Sequence, residues 1–372
     1  MGLIEDIPLA QAALADARSS EAHRIVTALD AHTVVGLLGE AEVGKTVTVK
    51  QALQSLGQPL FRLDLDMAAS DGHIGFLLVK EIAKATVPAS DFSLLSGGVL
   101  LPSSAERAQV QLGELLGIDG LDEALRQWPS GHFTSAQAFQ LVEDISKQQS
   151  VVLWVDHLET PSLTPRHPVD TDRLLWGIRE IAQRRPRLRV VLSGREALES
   201  RLLGPKAAFH QQGQWLSLDN PPAEVWREVA QRMEVSVTLA EELSGLVDGH
   251  SATMLHALLL IASQSKLPHS YAVLQELAAG DDGLAARAIQ HARTLHRLGG
   301  QVMTQIAFGE HSYGVAERGR SAPQEIRKVR DRLRLAGLVR RKPSWAIVNP
   351  LLRIRLRGSV RTLAALGWQT AV

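Results

Sequence analysis

Between Thr33 and Leu38 the chain is apolar and β-branched, and after a glycine-punctuated stretch it takes up helical spacing through Gln54. The pattern predicts a strand, a tight loop and a helix. A second extended run, Pro59 to Leu65, precedes helical periodicity from about Ile74 to Ala85. From Val87 to Gln149 the pattern loosens into Ser-, Gly- and Pro-rich loops with two or three helices, the last over Ser135 to Lys147. Alternation then resumes: strand Val151 to Val155, helix Thr171 to Arg184, strand Leu188 to Ser193 and a short strand over Gln214 to Leu218. Strands that alternate with helices predict a parallel sheet with crossover helices, although its strand order is not readable. Two short polar helices, Leu9 to Arg18 and Ser20 to Leu29, precede it, the second opened by a serine cap with a glutamate close behind.

From Pro222 to about Ala279 every periodic segment is helical, and a helix near Leu284 to Leu298 leads onward. Next come a helix over Gln301 to Phe308, a short one near Tyr313 to Arg318, a long one over Pro323 to Ala336, and two brief strands around Lys342-Pro343-Ser344. That is the order of a winged helix-turn-helix. The fold class expected is therefore α/β, a parallel sheet with a helical lid domain and a C-terminal winged helix-turn-helix domain. The loop Gly39-Glu40-Ala41-Glu42-Val43-Gly44-Lys45-Thr46 between the first strand and the next helix makes the expected sheet that of a P-loop NTPase. The expected division is N-terminal helices 1–30, the α/β domain 31–221, the lid 222–283, a connecting helix 284–299, the winged helix 300–358 and a tail 359–372.

Composition narrows the chemistry. Apolar residues are 45% and charged residues 22% of 372, a globular balance. The absence of cysteine removes disulfides, thiolate catalysis and cysteine-bound zinc, and none of the 13 histidines lies in a His-Glu-x-x-His pattern. Apolar runs such as Met254 to Ala262 are about half what a bilayer demands, so no membrane partner and a cytoplasmic location are expected. A net charge of zero hides an asymmetry: 14 Lys and Arg against 4 Asp and Glu from Gln301 to Val372, and 26 against 36 before it. The basic end is suited to something anionic, either nucleic acid or the acidic remainder of the chain.

The strongest local signal is Gly39-Glu40-Ala41-Glu42-Val43-Gly44-Lys45-Thr46, followed by Val47. Its glycines let the backbone turn its amides onto phosphate oxygens, Lys45 reaches the β and γ phosphates, and the Thr46 hydroxyl is a magnesium ligand. ATP or ADP with Mg2+ is the expected cofactor set. Asp156 ends the apolar strand Val151 to Val155, where a carboxylate would hold the ion opposite Thr46. His157 follows it, and Glu159, two positions further, is the carboxylate placed to orient an attacking water; both are candidate catalytic groups. Ser193-Gly194-Arg195 closes the next strand with a hydroxyl and a guanidinium that can read a γ-phosphate. His250 is a candidate nucleotide contact, and Arg184, Arg185 and Arg187 are candidate fingers toward a neighbour's ATP.

In order, the glycine loop, the Asp156 strand, Ser193-Gly194-Arg195, Leu216-Ser217-Leu218-Asp219-Asn220-Pro221-Pro222, Asp248-Gly249-His250-Ser251 and the C-terminal winged helix resemble the STAND branch of AAA+-related ATPases, closest to prokaryotic and archaeal forms. The resemblance implies that Arg195 senses the γ-phosphate and that Gly249 begins a Gly-x-Pro turn contacting base and ribose, although Ser251 replaces the proline. It also implies a molecular switch, with a homo-oligomer or a protein as partner.

In the basic part, Ile326, Val329 and Leu333 form an inward stripe that turns Gln324, Arg327, Lys328 and Arg334 outward, while Arg340, Arg341 and Lys342 lie on the wing. These seven are the candidate DNA contacts, and DNA is the expected partner. The alternative is a signalling switch whose winged helix locks the ADP state against its own nucleotide domain. A metabolic kinase ranks last, because no acceptor-binding signature is present.

Overall fold

A computed structural model describes residues 7–68, 71–86, 134–163, 169–263, 269–280, 283–308, 323–341 and 344–357. The predicted short helix near Tyr313 to Arg318, the residue Lys342 and the 359–372 tail lie outside the described residues, as does most of Val87 to Gln149.

Two helices open the chain, α1 (Ile7–Ala17) and α2 (Ser19–Ala31). The expected serine cap is not formed. Arg18 takes the cap position without a side-chain cap bond, and its amide turns back to the Leu14 and Ala15 carbonyls while its own carbonyl accepts from Ala22. The helices nearly abut, so no extended residue is left to act as a cap. The Arg18 side chain is fully buried and donates to the Asp219 carbonyl at 2.8 Å, tying this corner to the end of the sheet.

The α/β region follows as β1 (Val34–Gly39), α3 (Lys45–Gln54), β2 (Leu60–Asp64), α4 (Asp71–Thr86), α5 (Ser135–Gln148), β3 (Val151–Asp156), α6 (Thr160–Leu163), α7 (Thr171–Arg184), β4 (Leu188–Arg195), α8 (Glu199–Leu203) and β5 (Gln214–Leu218). Local chemistry sets several starts. Thr134 and Gln137 form a reciprocal capping box before α5, and Asp170 accepts two amides at the head of α7.

The five strands pair in parallel in the order β2-β3-β4-β1-β5. β1 and β3 are buried at every position, as strands covered on both faces must be. On one face, Ile25, Leu29, Val49 and Leu53 of α2 and α3 pack against Val35, Leu37, Trp154 and Val191. On the other, Ile74, Leu78, Phe139, Val142 and Ile178 pack against Leu63, Leu153, Val190 and Leu192. Leaving β1, the chain crosses by α3 to β2 at the far edge, past β4 and β3. The carboxyl ends of β1, β4 and β3 are thus brought side by side, where parallel sheets place ligands.

Then come α9 (Ala223–Arg232), α10 (Val237–Val247), α11 (Ser251–Ser263), α12 (Ser270–Ala279), α13 (Leu284–Leu295), α14 (Gly299–Ala307), α15 (Pro323–Leu335), the antiparallel pair β6 (Val339–Arg341) and β7 (Trp345–Ile347), and α16 (Pro350–Arg357). α13 ends three residues earlier than the periodicity suggests, because His296 is extended and α14 starts at Gly299. One apolar cluster joins Leu14 of α1, Trp226, Leu243, Met254 and Leu258 to Val302, Ile326, Val329, Leu333, Ile347 and Leu352. That cluster runs without a break through α13 and α14.

Candidate functional site

The loop after β1 reaches α3 through two residues with positive φ, Glu42 at 61° and Gly44 at 97°. Gly39 is required by a close approach, since a Cβ there would run into the Leu218 carbonyl and come within 3.1 Å of Val43. The loop hands over to a helix N-terminus, whose free amides and positive dipole end suit an anion. Lys45, the first residue of α3, donates to the loop carbonyls of Gly39 at 3.1 Å and Glu40 at 2.6 Å. Burial pushes the Lys45 pKa down to about 8, against the pull of nearby Glu159.

Asp156 ends β3 with 1% of its surface exposed. Its Oδ2 accepts the Thr46 hydroxyl at 3.2 Å and Arg62 Nη2 at 2.8 Å; its Oδ1 accepts the Ser193 hydroxyl at 2.5 Å and the His157 amide at 3.0 Å. Ser193 in turn accepts from the Trp154 indole at 2.8 Å, so it positions the carboxylate instead of facing open space. His157 has φ 58° and turns its ring toward Asp66, at 3.3 Å, and Asp156, at 3.6 Å. Glu159 is buried, and its Oε1 is held by Arg195 Nε at 2.9 Å while its Oε2 has no hydrogen-bond partner among the described residues. Thr46 and Asp156 are hard oxygen donors already in contact beside Lys45, a donor set that fits magnesium. The ion would there neutralise phosphate charge between Thr46 and Asp156.

Arg195 makes a second contact, Nη1 to the carbonyl of Leu335 at 2.8 Å, and so joins the sheet to the end of α15. Further contacts converge on the loop from the C-terminal part. Arg340 reaches Glu40 at 3.2 Å and Asn349 donates to Glu42 at 3.0 Å. Gly337, at φ 63°, lies so near that a Cβ would come within 2.5 Å of the Ala41 Cβ. From α11, Ser251 donates to the Val43 carbonyl at 3.1 Å. A cavity of about 580 Å³ remains, lined among others by Gly44, Thr46, Asp156, Glu159, Arg195 and Asn349.

The structure thus brings together Gly39 to Val47, Asp156, His157, Glu159, Ser193 and Arg195. His250 differs. It is buried, its Nδ1 hydrogen-bonds Thr253 at 3.0 Å, and its Nε2 faces Glu42 at 3.6 Å, beneath the loop and not on the cavity wall. Burial lowers its pKa to about 4, so it is neutral. Gly249 keeps φ 62° because the Pro221 carbonyl leaves no room for a side chain. The finger candidates are engaged within the chain: Arg184 and Arg185 bind buried Glu143, and Arg187 binds the carbonyls of Lys147 and Gln148.

The seven candidate DNA contacts divide. Gln324, Arg327, Lys328 and Arg341 are exposed. Arg334 and Arg340 are half-buried and, with Arg341, line a cavity of about 280 Å³ beside Glu40, Ala41 and Arg195. Lys342 lies outside the described residues.

Several site residues were not foreseen. Arg62 and Asp64 alternate with buried residues on an edge strand, which signalled a face but not a partner. Asn349 precedes Pro350 and accepts the Leu352 amide, the pattern of a helix cap, and that role masked its side-chain reach to Glu42. Arg287 and His291 on α13 also line the larger cavity, and only the helical period placed them on a common face.

No family model matches the chain, and no curated protein matches it. Among solved structures, the Walker-type ATPase PABY2304 of Pyrococcus abyssi is similar with a TM-score of 0.66, covering 91% of this chain and 95% of that one at 16% identity. The ORC2 protein of Aeropyrum pernix, in its ADPNP-ADP complexes, has a TM-score of 0.52 over 94% of each chain at 13% identity. At such identities the shared property is the fold, and this chain's five-stranded parallel sheet matches a P-loop NTPase core.

Proposed function

We propose that this chain is a magnesium- and ATP-dependent switch of the AAA+/STAND type, in which nucleotide at the Gly39 to Thr46 loop controls how a C-terminal winged helix is held and whether it reaches DNA. The observation that carries the proposal is the double engagement of Arg195, which grips Glu159 with Nε and the Leu335 carbonyl with Nη1. A γ-phosphate is a stronger acceptor for a guanidinium than a carbonyl. Drawing Arg195 toward phosphate loosens the end of α15 and frees Glu159 to orient a water. One event thus couples nucleotide state to both hydrolysis and the C-terminal part. The names of the similar structures, a Walker-type ATPase and an ADPNP-ADP complex, support an adenine nucleotide as ligand.

DNA is the partner favoured by the side chains left facing solvent, the cations Arg327, Lys328 and Arg341 together with the amide of Gln324 forming one half of a surface. Arg340, held at the loop by Glu40, and Arg334, which lines the adjoining cavity, complete it on release. The functional units are then the α/β domain 31–221, a lid over 222–283 and the winged helix 300–358, acting singly or in a homo-oligomer. The signalling reading has its own support, the Arg340–Glu40 and Asn349–Glu42 contacts, since a lock needs such contacts and no DNA.

Measuring DNA affinity of the full chain with ADP and with a non-hydrolysable ATP analogue, across a salt series, tests the proposal. Tighter, salt-dependent binding with the ATP analogue is expected. DNA binding absent in both states would replace the DNA switch by the signalling one.

A further inference from the structure

Arg62 lies on edge strand β2, outside the phosphate loop and the catalytic candidates. In the parallel register Arg62 is opposite Trp154 and Asp64 opposite Asp156. Two carboxylates thus stand side by side on one sheet face, an arrangement that repels unless a cation intervenes. Arg62 is that cation: the same Nη2 reaches Asp156 Oδ2 at 2.8 Å and Asp64 Oδ2 at 3.0 Å. Its guanidinium lies 4.6 Å from the centre of the Trp154 ring, a stacking that keeps it in place whichever carboxylate it favours.

The other hydrogen-bond partners of Asp156 are uncharged donors: the Ser193 hydroxyl, itself held by the Trp154 indole, the His157 amide, and the Thr46 hydroxyl on the first turn of α3. Among the described residues Arg62 is the one permanent cation in hydrogen-bond contact with Oδ2, while the His157 ring stands 3.6 Å from the same oxygen. The magnesium site proposed above uses this same oxygen together with Thr46.

We infer that Arg62 is a tethered counter-cation of the metal site, bridging Asp156 and Asp64 when no metal is bound and withdrawing to Asp64 alone when magnesium binds, so that the Arg62–Asp64 pair sets the magnesium concentration the loop requires. The inference rests on the proposed magnesium-nucleotide reading. Its sign follows from charge. A cation beside the ion disfavours the ion, and the effect is only partly screened because Arg62 keeps a third of its side chain exposed, 33%. Asp64 does the opposite, by offering Arg62 an alternative partner and adding negative charge nearby.

The test is a magnesium titration of the binding of a fluorescent, non-hydrolysable ATP analogue to the full chain, with no turnover measured. Parent, Arg62→Ala, Arg62→Gln, Asp64→Asn and the Arg62→Gln/Asp64→Asn double variant are compared, with folding checked by circular dichroism. Arg62→Gln keeps a planar polar end on a shorter, uncharged side chain, and it serves if the alanine variant does not fold. Half-saturating magnesium should fall about fivefold in either Arg62 variant and rise about threefold in Asp64→Asn, as expected for one charge a few ångströms from a partly exposed ion. In the Arg62→Gln background the Asp64→Asn effect should shrink by at least half, since there is no arginine left to hand over. A magnesium requirement unchanged or raised in folded Arg62→Gln overturns the inference while leaving the magnesium-nucleotide reading intact. A parent that binds the analogue without any magnesium dependence overturns both.

Discussion

Lys45 illustrates how much a single side chain can carry. It is held by two loop carbonyls, and burial already weakens its hold on a proton, so a phosphate that takes over those bonds regains charge-assisted contacts. Replacing Lys45 by Ala should lower ATP affinity on the order of a hundredfold, the size of a lost charged hydrogen-bonding group, while thermal unfolding stays close to parental. Calorimetric titration checks this, and parental affinity would remove the loop from the account. The two candidate water-orienting groups are likewise separable. Glu159 is buried against Arg195, whereas His157 faces Asp66 and Asp156. Glu159→Gln is expected to slow single-turnover hydrolysis more than His157→Ala, and the reverse order would assign the role to His157.

At the scale of elements, the sequence exposed what local chemistry compels. A glycine loop between strand and helix, a carboxylate ending an apolar strand and Arg195 ending the next were legible because a parallel sheet collects its functional groups at strand ends. Contacts between distant segments were not. Arg62 meets Asp156 across 94 positions, Arg340 meets Glu40 across 300 and Asn349 meets Glu42 across 307, and nothing in a periodicity marks such partners. The serine cap failed for a related reason: Ser20 has the right chemistry, but the join of α1 to α2 removes the extended residue a cap needs. Gly337 is the most sensitive point of the join between sheet and C-terminal elements. Its φ of 63° and its proximity to Ala41 mean that Gly337→Ala should destabilise docking by roughly 1–3 kcal/mol. Faster proteolysis after α15 with little change in far-UV circular dichroism is the expected result, and parental protease resistance would show that the loop yields without cost.

For the whole molecule, the zero net charge is a balance between an acidic sheet-and-lid region and a basic end. The Arg340–Glu40 contact shows that part of this balance is made directly, at the phosphate loop itself. Leu333 and Ile326 bury the inner face of α15 in the helical core, so release of the C-terminal part requires the loop-facing contacts to open while that core persists. The proposed switch is then a rearrangement of polar contacts around an intact apolar cluster, and its populations would shift only by the difference in nucleotide affinity between the two arrangements. Amide hydrogen exchange over residues 334–341 and 349–352 measures this most directly, in the parent and in Arg195→Ala, with ADP and with a magnesium-bound, non-hydrolysable ATP analogue. The account predicts faster exchange there with the ATP analogue than with ADP in the parent, and no nucleotide-dependent difference in Arg195→Ala. Exchange that is the same with both nucleotides in the parent, under conditions where both are bound, would contradict it.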